Sequence, residues 1–207
     1  MRKGIRAGIL AAGILAVGLL TGCGGQSGEN QVRIGYFPNI THTQALVMKD
    51  QQTLEKKWVE DCEVTWTSFN AGPAEVEAIF AGEIDIGYIG PVPAINAYVK
   101  SGGDVQILSN ATNAGAVLIK RSDSDIETIA DLAGKKVAVP QMGNTQHLCL
   151  LELLSENGLA PTTEGGDVEV VAVSNADVRN MMDQKNIDAA LVPEPWGTIL
   201  EEESGAL

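Results

Sequence analysis

From Gln31 onward, short apolar runs alternate with stretches whose apolar residues recur every three or four positions. The runs VRIGYF (32–37), VTWTSF (64–69), IDIGYI (84–89), VQILS (105–109) and AVLIK (116–120) are rich in β-branched and aromatic residues and predict strands. Between them, 43–58 carries Leu46, Val47, Leu54 and Trp58 on one side of a helix. Helices are also expected over 73–82, with Pro73 in the first turn and Gly82 at the end, and over 93–103. The second half keeps the rhythm. Strands are expected at 136–140, 167–173 and 187–192, and helices at 126–134, 145–158, 176–185 and 195–203. Strands separated by helices imply βαβ units, hence an α/β protein with mainly parallel sheets and helices on both faces.

The two halves echo each other. GEIDIGYIGPVP (82–93) and KNIDAALVPEP (185–195) each pass from a helix end through Ile-Asp into an apolar run and a Pro-x-Pro turn. Ile84-Asp85 matches Ile187-Asp188, which fits two similar lobes built from the same unit.

Polar residues collect at the strand-to-helix junctions: PNITH (38–42), NAGP (70–73), GPVP (90–93), QMGNT (141–145) and PEPW (193–196). In open α/β sheets ligands bind beyond the carboxyl ends of the strands. Helices that start there present unpaired N–H groups and the positive end of their dipole. Several such starts around one cleft would hold an anion without a lysine. The same residues also suit capping: Thr41 and Gln44 fit a capping box, and Asn70 or Thr145 can cap. QMGNT is no phosphate-binding P-loop, because no Gly-Lys-Ser/Thr follows.

Charge narrows the partners. Of 14 Lys and Arg, three precede residue 7, whereas all 27 Asp and Glu follow residue 28, so the chain from Cys23 carries a net charge of −16. That argues against nucleic acid, which is gripped by Lys and Arg. His42 and His147 lack ligand-like spacing, so no metal and no cofactor is expected. Cys62 and Cys149 are expected as separate, mostly buried thiols. No nucleophile elbow is present, and Asp85 and Asp188 fall early in strands, away from the strand tips where catalysis would be placed. The chain is expected not to be an enzyme.

The start of the chain has its own pattern. Arg2, Lys3 and Arg6 precede the apolar run 7–20, which is short for a membrane span and reads as a secretory signal. LLTGC (19–23) resembles the lipobox of bacterial lipoproteins, in which the cysteine, here Cys23, is lipidated. GGQSGEN (24–30) then reads as a tether. The expected division is signal 1–22, tether 23–30, first lobe 31–115 and second lobe 116–207.

Together the lipobox, RIGYFPNITHTQAL, FNAGPAEVEAIFAGEIDIGYIGPVPAINAY, DLAGKKVAVPQMGNTQHLCLLELL and IDAALVPEPW resemble the substrate-binding lipoproteins of ABC transporters, in the nitrate, sulfonate, taurine and bicarbonate branch. The resemblance implies a type II periplasmic-binding-protein fold, whose two lobes close on a small oxyanion and deliver it to a membrane permease with its ATPase. It implies ligand contacts at Asn39, Thr41, His42, Gly72, Pro73, Gly90, Pro91, Asn144, Thr145, Glu194 and Trp196. A hinge is expected over 111–120. Members of the family continue beyond the EPW turn and return to the first lobe, so a chain stopping at Leu207 is expected to leave that lobe incomplete. Two other readings stay open: a thiamine-precursor (pyrimidine) binder, and a membrane-tethered scaffold or sensor.

Overall fold

The computed structural model describes residues 30–58 and 62–207; the expected signal, Cys23 and the tether up to residue 29 lie outside the described residues. Two sheets organise the chain. The first has the order β2-β1-β3, with β1 (Gln31–Tyr36), β2 (Glu63–Ser68) and β3 (Ile86–Gly87) all parallel. The second has the order β4-β7-β5-β6, from β4 (Ala116–Lys120), β5 (Lys136–Val139), β6 (Glu169–Ala172) and β7 (Ala189–Pro193). There β5 runs parallel to β6 and β7, and only β4 is antiparallel, against β7. Helices α1 (Thr43–Asp50), α2 (Thr53–Lys57), α3 (Gly72–Phe80) and α4 (Pro91–Lys100) belong to the first unit. Helices α5 (Thr145–Glu156), α6 (Val178–Asp183) and α7 (Trp196–Ser204) belong to the second. The expected α/β architecture, largely parallel, is what forms.

Period-two alternation explains why the second sheet is covered on both sides. Val137 and Val139 of β5, with Ala189 and Leu191 of β7, join Leu150 and Leu154 of α5 in one core. Ala138, Ala190 and Val192 point the other way, into a core with Met182 of α6 and Leu200 of α7.

The Ile-Asp echo has a physical meaning. Ile84 and Ile187 are both buried. Asp85 accepts from the backbone N–H of Arg33 at 2.8 Å, and Asp188 accepts from that of Lys136 at 2.9 Å, so each carboxylate ties its strand to the start of the neighbouring one. Each also meets an arginine: Arg33 at 2.7 Å from Asp85, and Arg121 at 3.3 Å from Asp188. Hydrogen bonding from the Arg33 guanidinium holds the Asp85 carboxyl below its ordinary value.

Several expected elements come out differently. VQILS (105–109) is not a strand: it has no ladder partner among the described residues, and Ile107 and Leu108 are exposed. A strand is stabilised by its neighbours more than by its own composition. The helix expected over 126–134 is a 3₁₀ turn, Ile129–Leu132, fixed by a capping box between Thr128 and Asp131. The long helix over 43–58 breaks at Gln52, which takes a left-handed conformation with φ of 52° between α1 and α2. The break falls in the polar Gln51-Gln52-Thr53 step, where no apolar side chain holds the helix against the sheet. Cys62 and Cys149 are both free thiols as expected, but Cys149 is exposed on α5 rather than buried.

Candidate functional site

The carboxyl ends of the parallel strands place three helix starts side by side. Glycine makes this possible at two points. A Cβ on Gly72, at the start of α3, would lie 2.2 Å from Cγ of Pro93 in α4. A Cβ on Gly90, which caps α4, would lie 2.3 Å from Oγ1 of Thr145 in α5. The first contact brings α3 onto α4, and the second brings α4 of the first unit onto α5 of the second. The starts of α3 and α4 have no side-chain cap. Pro73, Pro91 and Pro93 carry no N–H, so the orphan donors at these starts reduce to groups such as Gly72 and Ala74 in α3 and Gly90 and Val92 in α4.

The α5 start is built differently. Asn144, not Thr145, is its cap, accepting from the backbone N–H of His147 at 2.8 Å. Thr145 Oγ1 is buried without a hydrogen-bond partner among the described residues. Replacing Asn144 with Ala is expected to lower stability by about 1 kcal/mol, the ordinary value of such a cap. Urea unfolding of the two proteins side by side measures it.

The loop after β1 supplies the opposing wall. Ile40–His42 forms a 3₁₀ turn, and the expected Thr41–Gln44 capping box is absent. Gln44 Nε2 instead donates to Ala111 O at 2.5 Å, and Thr112 Oγ1 donates to Thr41 O. His42 is buried, stacks on Phe37 with ring centroids 4.4 Å apart, and accepts at Nδ1 from the Phe37 N–H at 2.9 Å. Burial pushes its pKa down to about 4, so at neutral pH the ring is uncharged. With Nδ1 accepting, its single proton sits on Nε2.

These walls enclose a cavity of about 900 Å³. Asn39, Thr41, His42, Gly72, Gly90, Pro91, Asn144 and Thr145 line it, which joins residues from four separate junctions. Pro73, Glu194 and Trp196 do not line it. Glu194 Oε2 instead accepts from Thr198 N at 3.1 Å, capping α7. Trp196 Nε1 donates to Asn39 Oδ1 at 3.0 Å.

Polar lining residues that the sequence does not mark as ligand contacts include Gln44, Asn70, Gln106, Asn110 and Gln146. Asn70 was read as a cap. Its amide instead bridges the units, donating to Pro140 O at 3.0 Å and accepting from Asn175 N at 3.1 Å. No local pattern encodes such a bridge, since its partners lie 70 and 105 positions away. Among the described residues no Lys or Arg lines the cavity, and the charged lining residues are Asp85 and Asp104. Favourable contacts to an anion there would come from neutral N–H and O–H dipoles, with the Asp85 and Asp104 carboxylates opposing them.

A family model described as NMT1-like matches residues 25–206. The chain belongs to the NMT1-like family. Among its relatives, an Escherichia coli (strain K12) protein named for binding aliphatic sulfonates is 33% identical over 186 residues, covering 89% of this chain and 56% of that one. The taurine-binding periplasmic protein of the same organism is 32% identical over 146 residues, covering 70% and 43%. Among solved structures, the alkanesulfonate-binding protein SsuA from Xanthomonas axonopodis pv. citri, bound to MOPS, superposes with a TM-score of 0.69 at 28% identity, covering 86% of this chain and 59% of that one. The chain thus spans roughly half the length of these relatives. Within this family the fold is that of periplasmic binding proteins, as the sequence motifs implied.

Proposed function

We propose that this NMT1-like chain captures a small organic oxyanion, in the first place an aliphatic sulfonate, and passes it to an ABC permease without chemistry of its own. The observation that carries the reading is a cavity ringed by the starts of α3, α4 and α5 and free of lysine and arginine. Helix starts favour a negative ligand through their N–H groups and dipoles. A sulfonate suits them because it keeps its charge at any physiological pH and needs no acceptor for a proton. The names of the sulfonate and taurine relatives support the same class.

Residues 31–115 and 116–207 act in this reading as two jaws, hinged over 111–120. Asn39, Thr41, His42, Gly72, Gly90, Pro91, Asn144 and Thr145 face the ligand, and Cys23 carries the lipid that holds the protein on the outer face of the cytoplasmic membrane.

A thermal melt with and without butanesulfonate, taurine, nitrate, bicarbonate and an aminopyrimidine tests this. At about a hundred times the dissociation constant, a true ligand adds roughly 2.7 kcal/mol of stability. A rise with the sulfonates is the expected result. A rise with the pyrimidine alone would transfer the function to thiamine-precursor uptake, and no rise with any of them would favour a scaffold.

A further inference from the structure

Asn39 is 3% exposed, yet its side chain is not consumed by the protein. Its Oδ1 accepts the indole N–H of Trp196, 157 positions away and in the other unit. Its Nδ2 donates to no protein group among the described residues, and Asn39 lines the cavity. An amide can face a cleft either way round, as a donor through Nδ2 or as an acceptor through Oδ1, and its hydrogen-bond network decides which. The indole N–H only donates. It can be satisfied only by Oδ1, and that choice turns the NH₂ group away from Trp196.

We propose that Trp196 is a positioning residue for Asn39: it locks the amide so that Nδ2 presents its N–H to an oxyanion in the cavity. The inference rests on the oxyanion-binding reading above and deepens it. Without the lock the amide is free to rotate and present Oδ1, an acceptor that repels an anion. Because Asn39 and Trp196 belong to different units, the donor is set only when the units meet. Part of the anion site is thus made by closure. A second bond joins the same two turns, from Ile40 N to Glu194 O at 2.9 Å, so losing the indole N–H does not by itself separate them.

Trp196→Phe removes the N–H while keeping an aromatic ring, and a double-mutant cycle with Asn39→Ala isolates the pair. Butanesulfonate affinity, measured by calorimetry, is expected to fall about tenfold for W196F in the Asn39 background, the scale of one lost hydrogen bond to a charged group. In the N39A background the same change should cost less than twofold. In ¹⁵N spectra of the ligand-free chain, the Asn39 NH₂ pair should shift on W196F, and in the wild type it should move again on adding butanesulfonate.

Equal losses in both backgrounds would mean that Trp196 acts by packing, and would overturn the proposal while leaving the binding reading intact. An Asn39 amide that ignores W196F would overturn it as well. A wild-type chain that binds no sulfonate would sink the binding reading first, and the anion role of Asn39 with it.

Discussion

Raising the pH from about 6.5 to 8 is expected to destabilise this chain, and Glu75→Gln is expected to remove most of that loss. Glu75 stands in α3 with 0% exposure, and neither of its carboxyl oxygens has a hydrogen-bond partner among the described residues. It lies over Gly35 of β1 and Gly87 of β3, which pair in register. A Cβ at those positions would come within 2.1 and 2.3 Å of Glu75 Oε1, so the two glycines make the space that the carboxyl fills. Burial alone pushes its pKa from the ordinary 4.5 up to about 8.

The folded chain therefore keeps a proton on Glu75 that the unfolded chain releases above pH 4.5. Stability falls wherever the folded state binds more protons, by about 1.4 kcal/mol per pH unit for one group. The Glu75 contribution begins near pH 4.5, grows through neutrality and levels off above about 8, reaching on the order of 5 kcal/mol. Up to about pH 6.5 it is offset by His42, whose lowered pKa makes the folded chain bind fewer protons there than the unfolded one. Urea unfolding at pH 5, 6, 7 and 8 reads the Glu75 slope as the difference between the wild-type and E75Q curves, in which the His42 contribution cancels. E75Q should match the wild type near pH 5 and exceed it increasingly towards pH 8. Parallel curves for the two proteins would show that the carboxyl finds a partner or water in solution. The depressed carboxyls of Asp85, Asp123, Asp125 and Asp131 act in the opposite sense: their stabilisation is lost as pH falls through their lowered values, below the window used here.

Glu75 also marks the limit of what was legible in the chain. It sits in GPAEVEAIF, a good amphipathic helix, but nothing in that stretch distinguishes the buried Glu75 from the exposed Glu77 beside it. Alternation and helical spacing were legible because they reflect one-dimensional periods, and each strand from β1 to β7 falls within two residues of an expected one. The Ile-Asp echo was legible for the same reason, and it proved to be a repeated strand tie at Asp85 and Asp188.

What failed was whatever depends on a distant partner. VQILS has strand composition without a neighbouring strand. The S/T-x-x-E/Q pattern at Thr41 pointed to a box that does not form, while the one that does form, at Thr128, closes with an Asp. Junctions were legible as a set, because polar residues between a strand and a helix are few and local. Which way each side chain turns was not. Trp196 was expected to face the ligand, whereas it reaches Asn39 across the cleft, and Asn70 bridges to Asn175 instead of capping its own helix.

Gly90→Val is expected to weaken ligand binding more than a hundredfold, with the α4–α5 contact the part of the ligand-free chain that it disturbs. Gly90 has φ of −67° and ψ of 154°, a conformation open to any residue, so the substitution strains no backbone. The obstruction lies across the cleft. A Cβ there meets Thr145 Oγ1 at 2.3 Å and Thr145 Cβ at 3.3 Å. A rotation of Thr145 would relieve the first contact, but the second is with an atom fixed to the backbone. Valine adds two further carbons, so the start of α4 can no longer approach the start of α5. An anion held by both starts would lose one set of donors, and a hundredfold corresponds to only about 2.7 kcal/mol. Within its own unit the new Cβ meets Pro93 Cδ at 3.8 Å, an ordinary contact. Calorimetry with butanesulfonate, beside a thermal melt without it, separates these effects. Gly90→Ala should bind at an intermediate level and recover in part when combined with Thr145→Ala, which removes the closest atom. Undiminished binding by G90V would mean that the ligand sits on one unit alone and that the two helix starts never share it.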